Sequence, residues 1–154
     1  MTPLISVIVP CRNERHHIDA FCDSVLQQVL PAGWRMEVLI ADGNSDDGTR
    51  ECLAQRCAAD PRLVTIDNPG CIVSTGLNAC IAKAQGAVIA RLDVHSQFAP
   101  DYLAQCIRAL EQTGADNVGG PWVAVGTGPT GSAIAAAFQN RWVVGGALSR
   151  DTQY

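Results

Sequence analysis

The chain has 154 residues, of which 47% are hydrophobic and 17% charged, and its formal net charge is −4. That size and composition suit one globular domain with a real core and exclude a disordered chain. The acidic balance, with no block of Lys and Arg, excludes a non-specific nucleic-acid binder. No apolar run reaches the roughly 18 residues of a membrane span.

Ile5-Ser6-Val7-Ile8-Val9-Pro10 is a β-branched run and reads as a first strand ended by Pro10. Cys11 to Glu14 form a loop. Ile18, Phe21, Cys22, Val25, Leu26 and Val29 then recur at helical spacing, up to the stop at Pro31-Ala32-Gly33. Glu37 to Ala41 is a second strand, and Asp42-Gly43-Asn44-Ser45-Asp46-Asp47-Gly48-Thr49 is a loop of turn formers. Asp47 and Thr49 read as a turn that caps the next helix, Thr49 to Ala59. Leu63 to Ile66 is a third strand, and Asn68-Pro69-Gly70 turns the chain. Ser74 is expected to cap a helix that Gly86 stops. Ala87 to Leu92 is a fourth strand, read as buried on both faces. Pro100 opens a helix that Gly114 closes, and Asn117 to Gly119 is expected as a fifth strand. Beyond Gly120 the pattern weakens. Ser132 to Trp142 reads as a helix, and an exposed Ala133 to Leu148 segment would favour self-association.

Strands alternate with helices, so a Rossmann-like, mostly parallel α/β sheet flanked by helices is expected. Ligands of such sheets collect beyond the carboxyl ends of the strands. Three of those ends are polar: Arg12, Asn13 and Glu14 after the first strand, Asp42 to Asp47 after the second, Asp93 and His95 after the fourth. Asp93 and His95 are two apart in an extended segment, so both can reach one divalent cation. The first loop has no G-x-G-x-x-G and no P-loop, so no glycine turn cradles a phosphate there. A metal at Asp93 and His95 would instead neutralise a diphosphate in an acidic cleft, with Asp42 accepting from a base N–H or a ribose hydroxyl. Asn78 lies on a helix able to face the cleft. Arg91, in a strand, needs a charged partner or a solvent edge. The cysteines, seven in number and without a C-x-x-C, read as reduced thiols. With no leader before the first strand, a cytoplasmic chain is expected.

These motifs resemble those of family 2 glycosyltransferases with the GT-A fold. Ser6 to Glu14 is similar to the family's opening S-V-I-I-P-x-x-N-E. Asp42 to Thr49 is similar to its D-G-G-S-T-D-G-T loop, and Leu92-Asp93-Val94-His95 stands where its D-x-D would be. Gly76-Leu77-Asn78, Ala84-Gln85-Gly86, Asp101-Tyr102-Leu103 and Val118 to Pro121 continue the match. The nearest branch is the succinoglycan-type enzymes of bacterial exopolysaccharide assembly.

The resemblance implies a metal-assisted, inverting transfer of sugar from a nucleotide-sugar, usually a UDP-sugar, to a glycan or lipid-linked acceptor. Pro10, Arg12, Glu14, Asp42, Asn78 and Asp93 would bind the donor, and Asp93 and His95 would hold Mg²⁺ or Mn²⁺. It also implies work in the cytoplasm at the inner face of the cell membrane, with peripheral membrane contact. Residues 1–154 then form a single nucleotide-sugar-binding domain, with a core over 1–120 and a weakly defined 121–154. The chain ends about 60 residues after Asp93. Its last acid, Asp151, matches no catalytic-base motif. The expectation is therefore a donor-binding part truncated before the acceptor-binding half, with a non-catalytic nucleotide-binding module as the alternative. A sugar-1-phosphate nucleotidyltransferase would want a glycine-rich basic loop where Cys11 to Glu14 stand.

Overall fold

The computed structural model describes residues 2–121 and 123–144. Trp122 and residues 145–154 lie outside the described residues, and with them Asp151 and the end of the apolar 133–148 segment. The chain divides into two compact units, Met1–Ile107 and Arg108–Tyr154.

The first unit runs β1 (Leu4–Cys11), α1 (Ile18–Leu26), β2 (Arg35–Asp42), α2 (Thr49–Ala59), β3 (Leu63–Asp67), α3 (Val73–Lys83), β4 (Val88–Arg91) and the start of α4 (Tyr102–Thr113). The four strands are all parallel, in the order β3-β2-β1-β4. Parallel neighbours cannot be joined by tight turns, so each connection crosses over through a helix. Alternation of side chains divides the core. Val7, Val9, Val38 and Ile40 lie on one face with Phe21 and Val25 of α1, Leu53 of α2, and Leu103 and Ile107 of α4. Ile8, Leu39 and Ala41 lie on the other, with Cys80 of α3. The order turns back at β1: β2 and β3 build outward on one side, and β4 returns to the other. That reversal opens a crevice between the tips of β1 and β4.

Several expected boundaries move, each for a local reason. Pro10 does not end β1: the ladder continues to Cys11, whose carbonyl accepts the Gly43 N–H at 2.8 Å. Helix α1 stops at Leu26 because the next residues turn to α4. The Gln28 side chain, buried, donates to the Ala99 carbonyl at 2.8 Å and accepts the Leu103 N–H at 3.1 Å, while the Val29 N–H bonds the Pro100 carbonyl. Ser74 lies inside α3, whose N-cap is Ile72. Strand β4 is not buried on both faces. Ile89 is 46% exposed, because among the described residues only β1 pairs with β4.

In the second unit, α4 ends at Thr113 and Gly114 turns away at φ +64°. The expected fifth strand at Asn117 to Gly119 does not form. A single Val118 before Gly119, Gly120 and Pro121 offers no alternation to bury and no continuous ladder. The expected Ser132 to Trp142 helix starts earlier and breaks at Asn140, giving α5 (Gly128–Gln139) and α6 (Arg141–Val144), and Ile134 stands exposed. No helix of the described residues is long and apolar enough to cross a membrane.

A buried hydroxyl fixes the register of β4. Ser6 in β1 donates to Glu37 Oε1 at 2.6 Å and accepts the Gly86 N–H at 2.8 Å, and Glu37 Oε1 also accepts the Gln85 N–H at 2.8 Å. Gly86 does not stop α3, which ends at Lys83. Glycine is needed there for close approach: a Cβ would stand 2.6 Å from the Ser6 nitrogen and 2.7 Å from the Leu4 carbonyl oxygen. Gly86→Ala is expected to lower unfolding stability by about 1–3 kcal/mol in urea titrations, the usual cost of overpacking. Gly119→Ala, where a Cβ meets nothing within 4 Å, is expected to change little.

Candidate functional site

The loop after β1 is held by the loop after β2. Asn13, at φ +56°, donates its N–H to Ser45 Oγ at 2.8 Å, and its Oδ1 accepts the Asp46 N–H at 3.0 Å. The Glu14 N–H bonds Thr49 Oγ1 at 3.0 Å and the Arg15 N–H bonds Asp47 Oδ2 at 3.0 Å. Asp47 Oδ1 accepts from the Thr49 N–H at 3.1 Å and from its hydroxyl at 2.6 Å. Asp47 and Thr49 thus do more than cap a helix. They give the Asn13–Arg15 backbone its conformation and so set where Arg12 and Glu14 stand.

After β3, the buried Asn68 organises a third loop. Its N–H bonds the Asp42 carbonyl at 2.9 Å, its Nδ2 donates to the Ile72 carbonyl at 3.0 Å, and its Oδ1 accepts the Thr75 hydroxyl at 2.7 Å. Cys71 beside it has φ +56°, and its carbonyl accepts Arg12 Nη1 at 3.3 Å. After β4, Arg91 Nη2 lies 3.3 Å from Asp93 Oδ1, and His95 Nδ1 lies 3.7 Å from Glu14 Oε1 across the crevice.

These tips line a cavity of about 340 Å³: Pro10 at the end of β1 with Arg12 and Glu14 after it, Asn68, Cys71, Ile72 and Val73 after β3, and Arg91 at the end of β4 with Asp93 and His95 after it. Five of the residues singled out in the sequence, Pro10, Arg12, Glu14, Asp93 and His95, therefore line one cavity. Asn78 does not join them: it is exposed on α3 and does not line the cavity. The Asn68–Val73 wall was missed by sequence reasoning. Its only signal was the Asn68-Pro69-Gly70 turn, whose place beside β1 depends on the strand order.

Asp42 ends β2 beside Cys11, its register partner, which does line the cavity. The Asp42 side chain is fully buried. Its Oδ2 accepts the Ser45 N–H at 3.3 Å and lies 3.4 Å from Arg50 Nε, while Oδ1 has no partner. A buried acceptor without a donor costs about 1–3 kcal/mol, and Asp42 itself, 0% exposed, stands behind Cys11 and does not line the cavity. Burial first, and the carboxylates of Asp42, Glu14 and Asp47 next, push the Cys11 thiol up to about 12. It stays protonated and is no nucleophile.

The electrostatics differ from the acidic cleft expected. Two guanidinium groups, Arg12 and Arg91, share the cavity with two carboxylates, Glu14 and Asp93. Among the described residues no group of three or more His, Cys, Asp or Glu is set to hold a metal. The segment is not extended as expected, because the Ser96 N–H bonds the Asp93 carbonyl at 3.0 Å and turns the chain at Val94 and His95. Asp93 and His95 nevertheless both line the cavity and offer it a carboxylate and an imidazole. That donor set fits a divalent ion whose other positions are filled by phosphate oxygens and water.

A doubly wound parallel domain with a polar crevice at its topological switch point is thus the class defined by fold and site. The comparisons narrow it. Residues 6–146 match the model of glycosyl transferase family 2, and the chain belongs to that family. It is 34% identical over 146 residues to the succinoglycan biosynthesis protein ExoA of Rhizobium meliloti, covering 94% of this chain and 44% of that protein. It is 36% identical over 104 residues to the putative teichuronic acid biosynthesis glycosyltransferase TuaG of Bacillus subtilis, covering 66% and 39%. Among solved structures, the mannosyltransferase PcManGT from Pyrobaculum calidifontis, in complex with GDP-Man and Mn²⁺, aligns with a TM-score of 0.65 at 26% identity, covering 82% of this chain and 36% of that one. Staphylococcus aureus TarS in complex with UDP aligns at 0.59 with 18% identity, over 78% and 38%, a likeness of fold alone. The fold is therefore GT-A, and the chain spans less than half the length of these relatives.

The loop clasp has a pH signature. The Thr49 hydroxyl holds the Asp47 carboxyl below its ordinary range. A depressed carboxyl contributes stability above the unfolded pKa, near 4, and the contribution is lost as pH falls through the native value. Thr49→Val is therefore expected to move the acid-unfolding midpoint to higher pH, read by circular dichroism between pH 6 and 2.

Proposed function

We propose that this chain is the donor-binding part of a glycosyltransferase. It would take a nucleotide-sugar, a UDP-sugar foremost, and serve transfer to a glycan or lipid-linked acceptor in bacterial polysaccharide assembly. One observation carries the reading: the β1 and β4 tips bring Pro10, Arg12 and Glu14 onto the same cavity as Asp93 and His95. The transferase names of TuaG and PcManGT and the succinoglycan-biosynthesis name of ExoA support it.

The nucleoside would lie against Pro10, Arg12 and Glu14, with the free Asp42 Oδ1 accepting from a base N–H or a ribose hydroxyl. Asn78, exposed on α3, would meet the donor only at its outer edge. Asp93 and His95 would hold Mg²⁺ or Mn²⁺. When bound, that ion offsets the charge that gathers on the departing nucleoside diphosphate. The transfer would invert the anomeric centre: an acceptor oxygen attacks from the face opposite the leaving group, and a carboxylate takes its proton.

Both carboxylates of the cavity already face a basic side chain, Glu14 beside His95 and Asp93 beside Arg91. That favours a second reading, a chain that binds nucleotide without turnover. Use of cytosolic nucleotide-sugars would set the protein in the cytoplasm. A lipid-linked acceptor would bring it to the inner membrane face, and self-association would use the exposed part of α5.

Calorimetry with UDP, GDP and ADP, with and without Mn²⁺, tests the donor site. UDP is expected to bind with Mn²⁺, and Asp93→Ala to weaken it by about 2 kcal/mol, roughly 30-fold in Kd. Equal affinity in the variant would refute the assignment. Release of UDP from a UDP-sugar separates the two readings: turnover supports the transferase, and tight binding without release supports the module.

A further inference from the structure

The second guanidinium of the cavity, Arg91, has no assigned contact with the donor. We propose that Arg91 is a diphosphate-binding residue that shares Asp93 with the divalent ion, so that the site holds a nucleoside diphosphate even without metal. The proposal rests on the donor-site reading.

Arg91 is the last residue of β4, and Leu92 after it is 2% exposed, anchored in the core. Arg91 and Asp93, two apart on either side of that anchor, stand together on the cavity wall, with Nη2 3.3 Å from Oδ1. The side chains are 55% and 39% exposed. An ion pair so exposed is weak and screened, so it yields readily to a stronger partner. One contact to Asp93 also leaves most of the guanidinium's N–H donors free for phosphate oxygens, which the planar fork fits in pairs.

The other basic groups of the cavity are differently committed. Arg12 reaches the Cys71 carbonyl at 3.3 Å and His95 faces Glu14, so neither is paired with Asp93. The partner of Arg91 is the very carboxylate that a metal would take. An ion on Asp93 releases the guanidinium while leaving it on the same rim. Without an ion, Arg91 supplies the positive charge that a diphosphate needs. A cleft of carboxylates alone would repel a diphosphate until metal arrived. This cavity, with two Arg against Glu14 and Asp93, does not.

The test is calorimetry of UDP with wild type, Arg91→Ala and Arg91→Lys, each in EDTA and in Mn²⁺. Wild type is expected to bind in EDTA. Arg91→Ala is expected to raise Kd there by about tenfold or more, the scale of a charged hydrogen bond, and by a smaller factor in Mn²⁺. Arg91→Lys keeps the charge and loses the fork, so it should recover part of the loss, and it keeps the test open if the alanine variant misfolds. Wild-type binding that appears only with Mn²⁺, or an Arg91→Ala Kd in EDTA within twofold of wild type, overturns the proposal. No UDP binding in either buffer overturns the donor-site reading beneath it.

Discussion

The strands of the first unit all run the same way, and the rest of the molecule follows from that constraint. Each return must pass through a helix, so every carboxyl end lies on one rim. The order β3-β2-β1-β4 then makes β1 the strand at which the winding reverses. The helices on its two sides diverge, and the rim opens there. Arg12 and Glu14 meet Asp93 and His95 because β1 and β4 are neighbours, although about 80 residues separate them in the chain.

Backbone rather than side-chain bulk gives the rim its shape. Asn13, Asn44 and Cys71 all hold positive φ, a region that non-glycine residues enter at some cost. The cost is offset by hydrogen bonds between and within loops: Ser45 and Thr49 hold the first loop from the second, and Asn68 and Thr75 hold the third from inside. A crevice built this way is set before any ligand arrives, which lowers the ordering cost of binding.

The charge of the rim is balanced rather than acidic. Asp93 faces Arg91, and Glu14 faces an imidazole. Such pairs keep carboxylates from repelling an anionic ligand, and the exposed Arg91–Asp93 pair exchanges partners cheaply. Asp42 is the opposite case: it is fully buried, with Arg50 3.4 Å from one oxygen and no hydrogen-bond partner on the other.

Much was legible without coordinates. Helix α2, from Thr49 to Ala59, stands as its turn-rich entry and apolar positions indicated. The β-branched runs became β1 to β3, and the motifs at their ends gave the family and the GT-A fold, because local propensity and strand-end polarity are written in adjacent residues. Strand order, the Asn68–Val73 wall and the pairing of Arg91 with Asp93 belong to contacts between distant segments. The sequence alone therefore determined a parallel α/β domain with polar strand tips. Only the tertiary structure decided which tips meet, that Asn78 stands outside the cavity, and that arginines balance its acids, because those outcomes depend on which strands become neighbours.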